Sequence, residues 1–162
     1  MALPPLNAAE EEVWRALVRL MVVLPRALDD DLQQAGGLSL THYVVLMRLS
    51  EMADQQLRMS DLASQVALSP SRMSRIVQLL QGRGLVTRTV SAEDARAGIV
   101  TLTEAGLKAL RAAWPAHLAS ARTIVFDNLE PDQLALIAPA VARLLEAAQQ
   151  PAATRSPGPH IP

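Results

Sequence analysis

The chain has 162 residues, no cysteine and a formal net charge of −1, and half of its residues are hydrophobic. A chain of this length and composition can form one globular domain with its own core. The absence of cysteine excludes disulfide scaffolds, thiol redox switches and cysteine-ligated zinc. Aromatic residues make up only 2% of the chain, which disfavours proteins that stack single-stranded bases on aromatic side chains.

The sequence also disfavours secreted proteins, membrane-spanning proteins and enzymes. The residues from Met1 to Pro5 lack the basic and apolar regions of a secretory signal, and charges or prolines interrupt every long apolar run. We therefore expect a cytoplasmic protein. There is no glycine-rich phosphate loop, no Gly-x-Ser-x-Gly elbow and no metal-ligand spacing of histidines and carboxylates. The sequence thus predicts no enzyme, no cofactor and no metal site.

The first predicted element is a long helix from about Ala8 to Gln34. Its apolar side chains alternate at spacings of three and four residues, which is typical of a helix that packs against other helices. They are Trp14, Leu17, Met21, Leu24 and Leu28. Gly36 and Gly37 end this helix, and Ser39 is the expected N-cap of a second one.

Two shorter helices with a tight turn between them are predicted from Met59 to Leu80. Ser60 is the expected cap of the first helix. Ser69 is the expected cap of the second, since Pro70 would then occupy the first helical position, where no hydrogen bond is lost. The predicted buried stripe of this second helix is Met73, Ile76, Val77 and Leu80. Its other faces carry serine, arginine and glutamine, as in a helix that enters a DNA groove.

A β-hairpin is predicted directly after these helices. Gly82 and Gly84 are expected to end the helix, because glycine tolerates positive φ. The β-branched residues of 85–90 and 98–102 then bracket a polar turn, which is the pattern of two paired strands.

Two long helices are predicted to complete the fold. One runs from Thr103 to about Phe126, and the other begins near Pro131 and ends near Ala148. Three prolines fall inside predicted helices and are expected to kink them; they are Pro25, Pro115 and Pro139. Residues 149–162 are predicted to form a disordered tail.

The charge is distributed unevenly along the chain. Between Arg58 and Thr101 there are six arginines and three carboxylates, a net charge of about +3, which leaves about −4 for the remainder. A basic patch on an acidic body orients a protein on a polyanion such as DNA.

These motifs together resemble the multiple-antibiotic-resistance regulator (MarR) family. The resemblance extends over roughly residues 10 to 148 and is carried by Leu62-Ala63, Ser69-Pro70-Ser71-Arg72, Ser74-Arg75, Gly84-Leu85-Val86, Arg88, Glu93-Asp94, Arg96 and Leu102-Thr103-Glu104-Ala105-Gly106. The resemblance implies a homodimeric winged helix-turn-helix transcription regulator, in many members released from DNA by a small molecule. The chain departs from the family pattern at the wing tip, where the family usually has Asp-Arg-Arg and this chain has Asp94-Ala95-Arg96.

The predicted fold is mostly α-helical with a small β-wing. It is expected as a single domain of residues 8–148, with a winged helix-turn-helix at 58–102 and dimerisation helices at 8–35 and 103–148. The terminal helices are apolar on more than one face, so burial against a second copy is the simplest account of them. The alternative is an intramolecular helix bundle in a monomer.

Nine residues are predicted to bind DNA. They are Ser69, Ser71, Arg72, Ser74, Arg75, Gln78, Arg88, Asp94 and Arg96. A guanidinium can pair with guanine or clamp a phosphate, and short hydroxyls suit phosphate contacts. The resemblance implies that Arg96 enters the minor groove and that Asp94 holds an arginine in place. The alternatives are a solvated arginine face, a purely capping role for Ser69 and a turn-closing role for Asp94.

A small-molecule effector is the remaining partner that the resemblance implies. Six residues could border its cleft, although each is more often ordinary core or helix-surface packing: Trp14, His42, Tyr43, Met47, Trp114 and His117. The predicted function is therefore a repressor that binds a pseudo-palindromic DNA site as a homodimer. The alternative is a winged-helix module that binds other proteins and not DNA.

Overall fold

The computed structural model describes residues 4–89 and 98–150. Within these ranges the fold is mostly α-helical, with three short strands in one antiparallel sheet. The helices are α1 (Ala8–Gly36), α2 (Leu40–Ser50), α3 (Met59–Gln65), α4 (Pro70–Gly82), α5 (Glu104–Ile124) and α6 (Pro131–Gln149). The strands are β1 (Gln56–Arg58), β2 (Val86–Thr89) and β3 (Ile99–Leu102). A 3₁₀ turn, Phe126–Asn128, precedes α6.

The chain divides into two compact units. We call residues 25–121 the winged unit, and residues 1–24 with 122–162 the helical unit. Their described parts are 25–89 with 98–121, and 4–24 with 122–150.

The winged unit has a closed hydrophobic core. Its most deeply buried large side chains come from α1 to α4, from the corner between α1 and α2, and from β2 and β3. They are Leu32, Leu38, Tyr43, Val45, Leu46, Leu49, Leu62, Met73, Val77, Leu80, Val86 and Val100. Helix α5 adds Leu110 and Ala113 to this core. The strand order is β1-β3-β2, with Leu57 opposite Val100 and Val86 opposite Leu102.

The predicted hairpin is confirmed as β2 and β3, but the sheet has a third strand that the sequence did not predict. Strand β1 pairs with β3, and the prediction that Ser60 caps the following helix is wrong. The helix already begins at Met59, so Ser60 lies inside its first turn. The backbone N–H of Met59 donates to the carbonyl oxygen of Gly98 at 2.8 Å. The Ser60 hydroxyl instead contacts the carboxylate of Asp61. Cross-strand pairing thus takes the place of a side-chain cap.

The other two predicted serine caps are confirmed. The hydroxyl of Ser39 accepts from the backbone N–H of His42 at 3.2 Å. The hydroxyl of Ser69 accepts from the backbone N–H of Arg72 at 3.4 Å, and Pro70 occupies the first turn of α4. These bonds satisfy backbone donors that have no partner inside the helix.

Helices α3 and α4 end in the same way. After α4, the N–H of Leu85 bonds to the carbonyl of Leu80, and Gly84 has a φ of +71°. This is a Schellman motif. After α3, the N–H of Leu68 bonds to the carbonyl of Ala63, and the residue with positive φ is Ala67 at +55°. The tight turn between the two helices therefore carries a left-handed alanine. Gly82 is the last residue of α4, as predicted, and of the two glycines Gly84 has the positive φ.

The helical unit contrasts with the winged unit, because none of its described residues is buried. Along α1 the exposed fractions of Trp14, Val18 and Met21 are 55%, 40% and 61%. Along α6 those of Ile137, Val141 and Leu144 are 39%, 53% and 57%. In both helices the spacing is four and then three residues, so each set forms a stripe on one face.

Pro25, Pro115 and Pro139 all lie inside continuous helices, as expected; the kinks remain a prediction. Among the described residues, none of the helices combines the length and hydropathy that a membrane crossing requires.

Candidate nucleic-acid interface

Helix α4 presents a polar face on the side opposite its buried stripe. Met73, Val77 and Leu80 are buried and Ile76 is half-buried, so the predicted stripe is confirmed. Ser71, Arg75 and Gln78 are exposed and follow one another at spacings of four and three residues. They therefore form a single outward row. Arg72 is also exposed, on one flank of that row, and Ser74 is half-buried on the other.

The two arginines of this face are available for an external anion. In the described residues, neither Arg72 nor Arg75 lies within ion-pair distance of a carboxylate, whereas Arg15 and Arg48 each pair with a glutamate. A guanidinium on an exposed helix face that has no protein counter-ion can bind a phosphate or the edge of a guanine. The Ser69 hydroxyl, which caps the helix, also lies 3.3 Å from the Ser71 hydroxyl.

Arg88 lies at the base of the hairpin rather than on an open surface. It is half-buried in β2, and its Nε is shielded from solvent without a hydrogen-bond partner among the described residues. Its guanidinium fills the space beside Gly98, where an added Cβ would come within 2.8 Å of Nε. The packing indicates that Arg88 supports the hairpin. Asp94 and Arg96, predicted to bind DNA at the wing tip, lie outside the described residues.

Three of the six residues predicted to border an effector cleft form an aromatic cluster in the winged unit. The rings of Tyr43 and His117 lie 4.5 Å apart between centroids, and Trp114 lies 6.2 Å from His117. His42 is adjacent to Tyr43 on α2. Met47 is half-buried and packs against the core, and Trp14 belongs to the helical unit.

This cluster and the neighbouring His42 contain polar atoms that are buried without partners. They are the hydroxyl of Tyr43 and the Nδ1 atoms of His42 and His117, none of which has a hydrogen bond to the described residues. Burial lowers the pKa of His117. Burial also lowers the pKa of His42; the Arg83 guanidinium lowers it further, and Asp29 acts in the opposite direction. In both histidines, burial therefore favours the neutral imidazole.

Two residues of this region were not predicted from the sequence to be functional. Leu79 is the one large apolar side chain of α4 that is exposed, at 59%. It interrupts a helical pattern that otherwise separates apolar from polar positions, which is the signal that could have revealed it. Arg83 donates from Nη1 to the carbonyl oxygen of Gly37 at 3.0 Å and so joins the end of α4 to the corner between α1 and α2.

The fold and the exposed basic helix define a winged helix-turn-helix protein. Helices α3 and α4 form the helix-turn-helix, and the hairpin of β2 and β3 forms the base of the wing.

Comparison with known proteins identifies the family. The sequence model of the MarR family matches residues 36–97. The chain is similar to Sco3205 of Streptomyces coelicolor, a MarR family transcriptional regulator whose crystal structure is a complex with DNA. The identity is 32% over 94% of both chains, with a TM-score of 0.84. It is also similar to AbsC of the same organism, at 32% identity over 91% of this chain and 99% of that one, with a TM-score of 0.82. The chain therefore belongs to the MarR family of transcriptional regulators.

A more distant relative shares the fold. CouR of Rhodococcus jostii RHA1, in a crystal structure with p-coumaroyl-CoA, is 24% identical over 90% of this chain and 97% of that chain, with a TM-score of 0.71.

Proposed function

We propose that this protein represses transcription by binding, as a homodimer, a pseudo-palindromic site in double-stranded DNA. The observation that carries the proposal is the polar face of α4, in which exposed Arg72 and Arg75 stand on a helix whose other side is closed by the core. A positively charged helix of this kind fits the major groove. The complex of the relative Sco3205 with DNA supports the same reading. The proposed location is the cytoplasm.

The test of DNA binding is selection of bound fragments from random duplexes by the purified protein, followed by anisotropy titration. We expect the affinity to fall steeply as salt increases, because each phosphate contact releases a counterion. Arg75→Ala is expected to weaken binding about tenfold or more. Arg111→Ala is the charge-matched control, since Arg111 is exposed on α5, outside the helix-turn-helix and the hairpin. Failure to bind any duplex at low salt would favour the alternative, a winged-helix module that binds proteins.

The proposed homodimer rests on the helical unit. Its described residues include long apolar stripes and yet none is buried, which is unfavourable for an isolated chain in water. Leu6, Val13 and Trp14 also border an apolar groove on α1 of about 610 Å³. A second copy would bury these stripes and place two α4 helices on one face of DNA, about 34–36 Å apart. Sedimentation velocity across a concentration series measures the oligomeric state, and a monomer at all concentrations would contradict the proposal.

A small-molecule effector is proposed to bind at the cluster of His42, Tyr43, Trp114 and His117. Unpartnered buried polar atoms are unfavourable, and a ligand that hydrogen-bonds to them would stabilise one arrangement of α2 and α5. The complex of CouR with p-coumaroyl-CoA supports the idea that this fold can accept such a ligand.

The effector proposal can be tested by fluorescence. The chain has two tryptophans, so Trp14→Phe leaves Trp114 as the single reporter. Acyl-CoA thioesters and free phenolic acids are titrated in turn, first against this emission and then against the DNA complex. We expect at least one compound to change the emission and to release DNA, and Tyr43→Phe to weaken both effects. Compounds that release DNA without changing the emission would place the effector elsewhere.

The sign of regulation is measured separately. A template with the selected site between promoter and transcript should yield less RNA when the protein is added, and an increase would contradict repression.

A further inference from the structure

Leu79 is exposed in a place where an exposed leucine has no structural purpose. It lies in the last third of α4, and 59% of its surface is open to solvent. The core beneath α4 is supplied by Met73, Val77 and Leu80, with Ile76 at its edge. Leu79 is therefore not part of this core.

Leu79 lies on the same flank of α4 as the two exposed arginines. Arg72, Arg75 and Leu79 are separated by three and four residues, so they follow one flank of α4. From Arg75 to Leu79 the helix rises about 6 Å. A duplex held by the guanidinium groups of Arg72 and Arg75 would thus extend past the leucine.

The turn that carries Leu79 is held in place. The Schellman motif bonds the carbonyl of Leu80 to the N–H of Leu85, and Arg83 is bonded to the carbonyl of Gly37. The leucine is therefore presented on a fixed helical turn and not on a fraying end.

We propose that Leu79 determines sequence specificity by packing on the C5-methyl group of a thymine in the major groove. Among the groups at the floor of the major groove, this methyl is the apolar one, and it distinguishes thymine from the other bases. The contact lies one helical turn beyond that of Arg75, in the direction of the end of α4. This inference rests on the proposed DNA binding and adds a residue and a base to it.

The experiment removes the methyl group and nothing else. Starting from the best duplex selected by the purified protein, each thymine is replaced in turn by deoxyuridine, and binding is measured by anisotropy. We expect one replacement in each half-site to weaken wild-type binding about fourfold, the effect of losing one buried methyl contact. In Leu79→Ala, the thymine and uracil duplexes should bind equally.

Two further variants keep the result specific. Leu118→Ala truncates another exposed leucine, 39% exposed on α5, and should retain the wild-type difference between thymine and uracil. Leu79→Met should retain it also, since methionine has a similar apolar reach.

Three outcomes would overturn the inference while leaving DNA binding intact. In the first, uracil weakens binding equally in the wild type and in Leu79→Ala. In the second, the selected site has no thymine at these positions. In the third, Leu79→Ala binds DNA as the wild type does but no longer binds a protein partner. The last result would assign Leu79 to a protein contact. If the wild type binds no duplex at low salt, the proposed function fails and this inference fails with it.

Discussion

The winged unit and the helical unit differ in what their apolar residues contact. In the winged unit, apolar side chains from helices and strands meet in a core in which twelve large side chains are less than 2% exposed. In the described part of the helical unit, no side chain is buried, although α1 and α6 carry long apolar stripes. Since apolar burial is the main favourable contribution to folding, the winged unit has its stability within one chain. In the proposed homodimer, a second copy supplies this contribution to the helical unit.

The largest expected effect comes from placing charges on the stripe of α6. Ile137→Asp combined with Leu144→Asp should weaken self-association by at least about a thousandfold, ~4 kcal/mol, because two apolar contacts become unpaired buried charges. Sedimentation equilibrium measures the change.

The matched control for this variant is Arg143→Glu, which also adds negative charge to α6 but on a face away from the stripe. The urea-induced unfolding of the winged unit should still be cooperative in the double variant. Self-association that survives both substitutions would place the dimer contact away from α6.

The core of the winged unit can be tested at Gly106 in α5. A Cβ at this position would lie 2.0 Å from the carbonyl oxygen of Leu85 and 2.8 Å from the Leu102 side chain. Because the nearest atom is backbone and cannot move aside, Gly106→Ala should lower the free energy of unfolding by about 3 kcal/mol or more. Urea denaturation checks this value.

Gly82→Ala is the control for that substitution. Gly82 is helical and has no atom within 4 Å of an added Cβ. The change should leave stability equal or raise it by up to about 1 kcal/mol. Equal effects of the two alanines would mean that α5 does not approach Leu85 this closely.

A smaller effect is expected in the turn of the helix-turn-helix. Ala67 has a φ of +55°, a conformation that is unfavourable for a residue with a Cβ. Ala67→Gly should therefore raise the free energy of unfolding by about 1 kcal/mol. Gly84→Ala, at a φ of +71° with open space around the site, should lower it by a similar amount. Thermal unfolding of both variants provides the measurement, and a loss of stability in Ala67→Gly would contradict it.

The smallest expected effect is a dependence on pH. His42 and His117 have pKa values below 6.5 in the folded chain, so near that pH the unfolded chain binds more protons. The free energy of unfolding should then decrease as the pH falls from 7.5 through 6.5, and level off below the folded pKa values. Urea titrations at several pH values measure the slope, which should be reduced in His42→Gln and His117→Gln. An unchanged slope in both variants would assign it to other groups.

The helices were predictable because their signals are local. The bounds of α1 and α6 follow from apolar spacing and from proline and glycine, and the start of α4 follows from Ser69 and Pro70. The polar face of α4 was predictable for the same reason, since the positions of Arg72, Ser71 and Arg75 relative to Met73 are set by helical geometry alone.

Features that depend on distant residues were not predictable. Strand β1 has three residues, too few for a periodic pattern, and it exists because β3, some forty residues later, pairs with it. The same pairing satisfies the N–H of Met59 and leaves Ser60 without a capping role. The burial of Arg88 against Gly98 likewise depends on a cross-strand neighbour.

The fixation of α4 at both ends has a consequence for recognition. The Ser69 cap holds its first turn, and the Schellman motif with the Arg83 contact holds its last. The conformational entropy of this helix is therefore lost when the chain folds and is not lost again when a ligand docks against it. Contacts with this preordered surface therefore need not compensate for ordering α4, and differences between the contacts at two docking sites appear directly in the binding free energy.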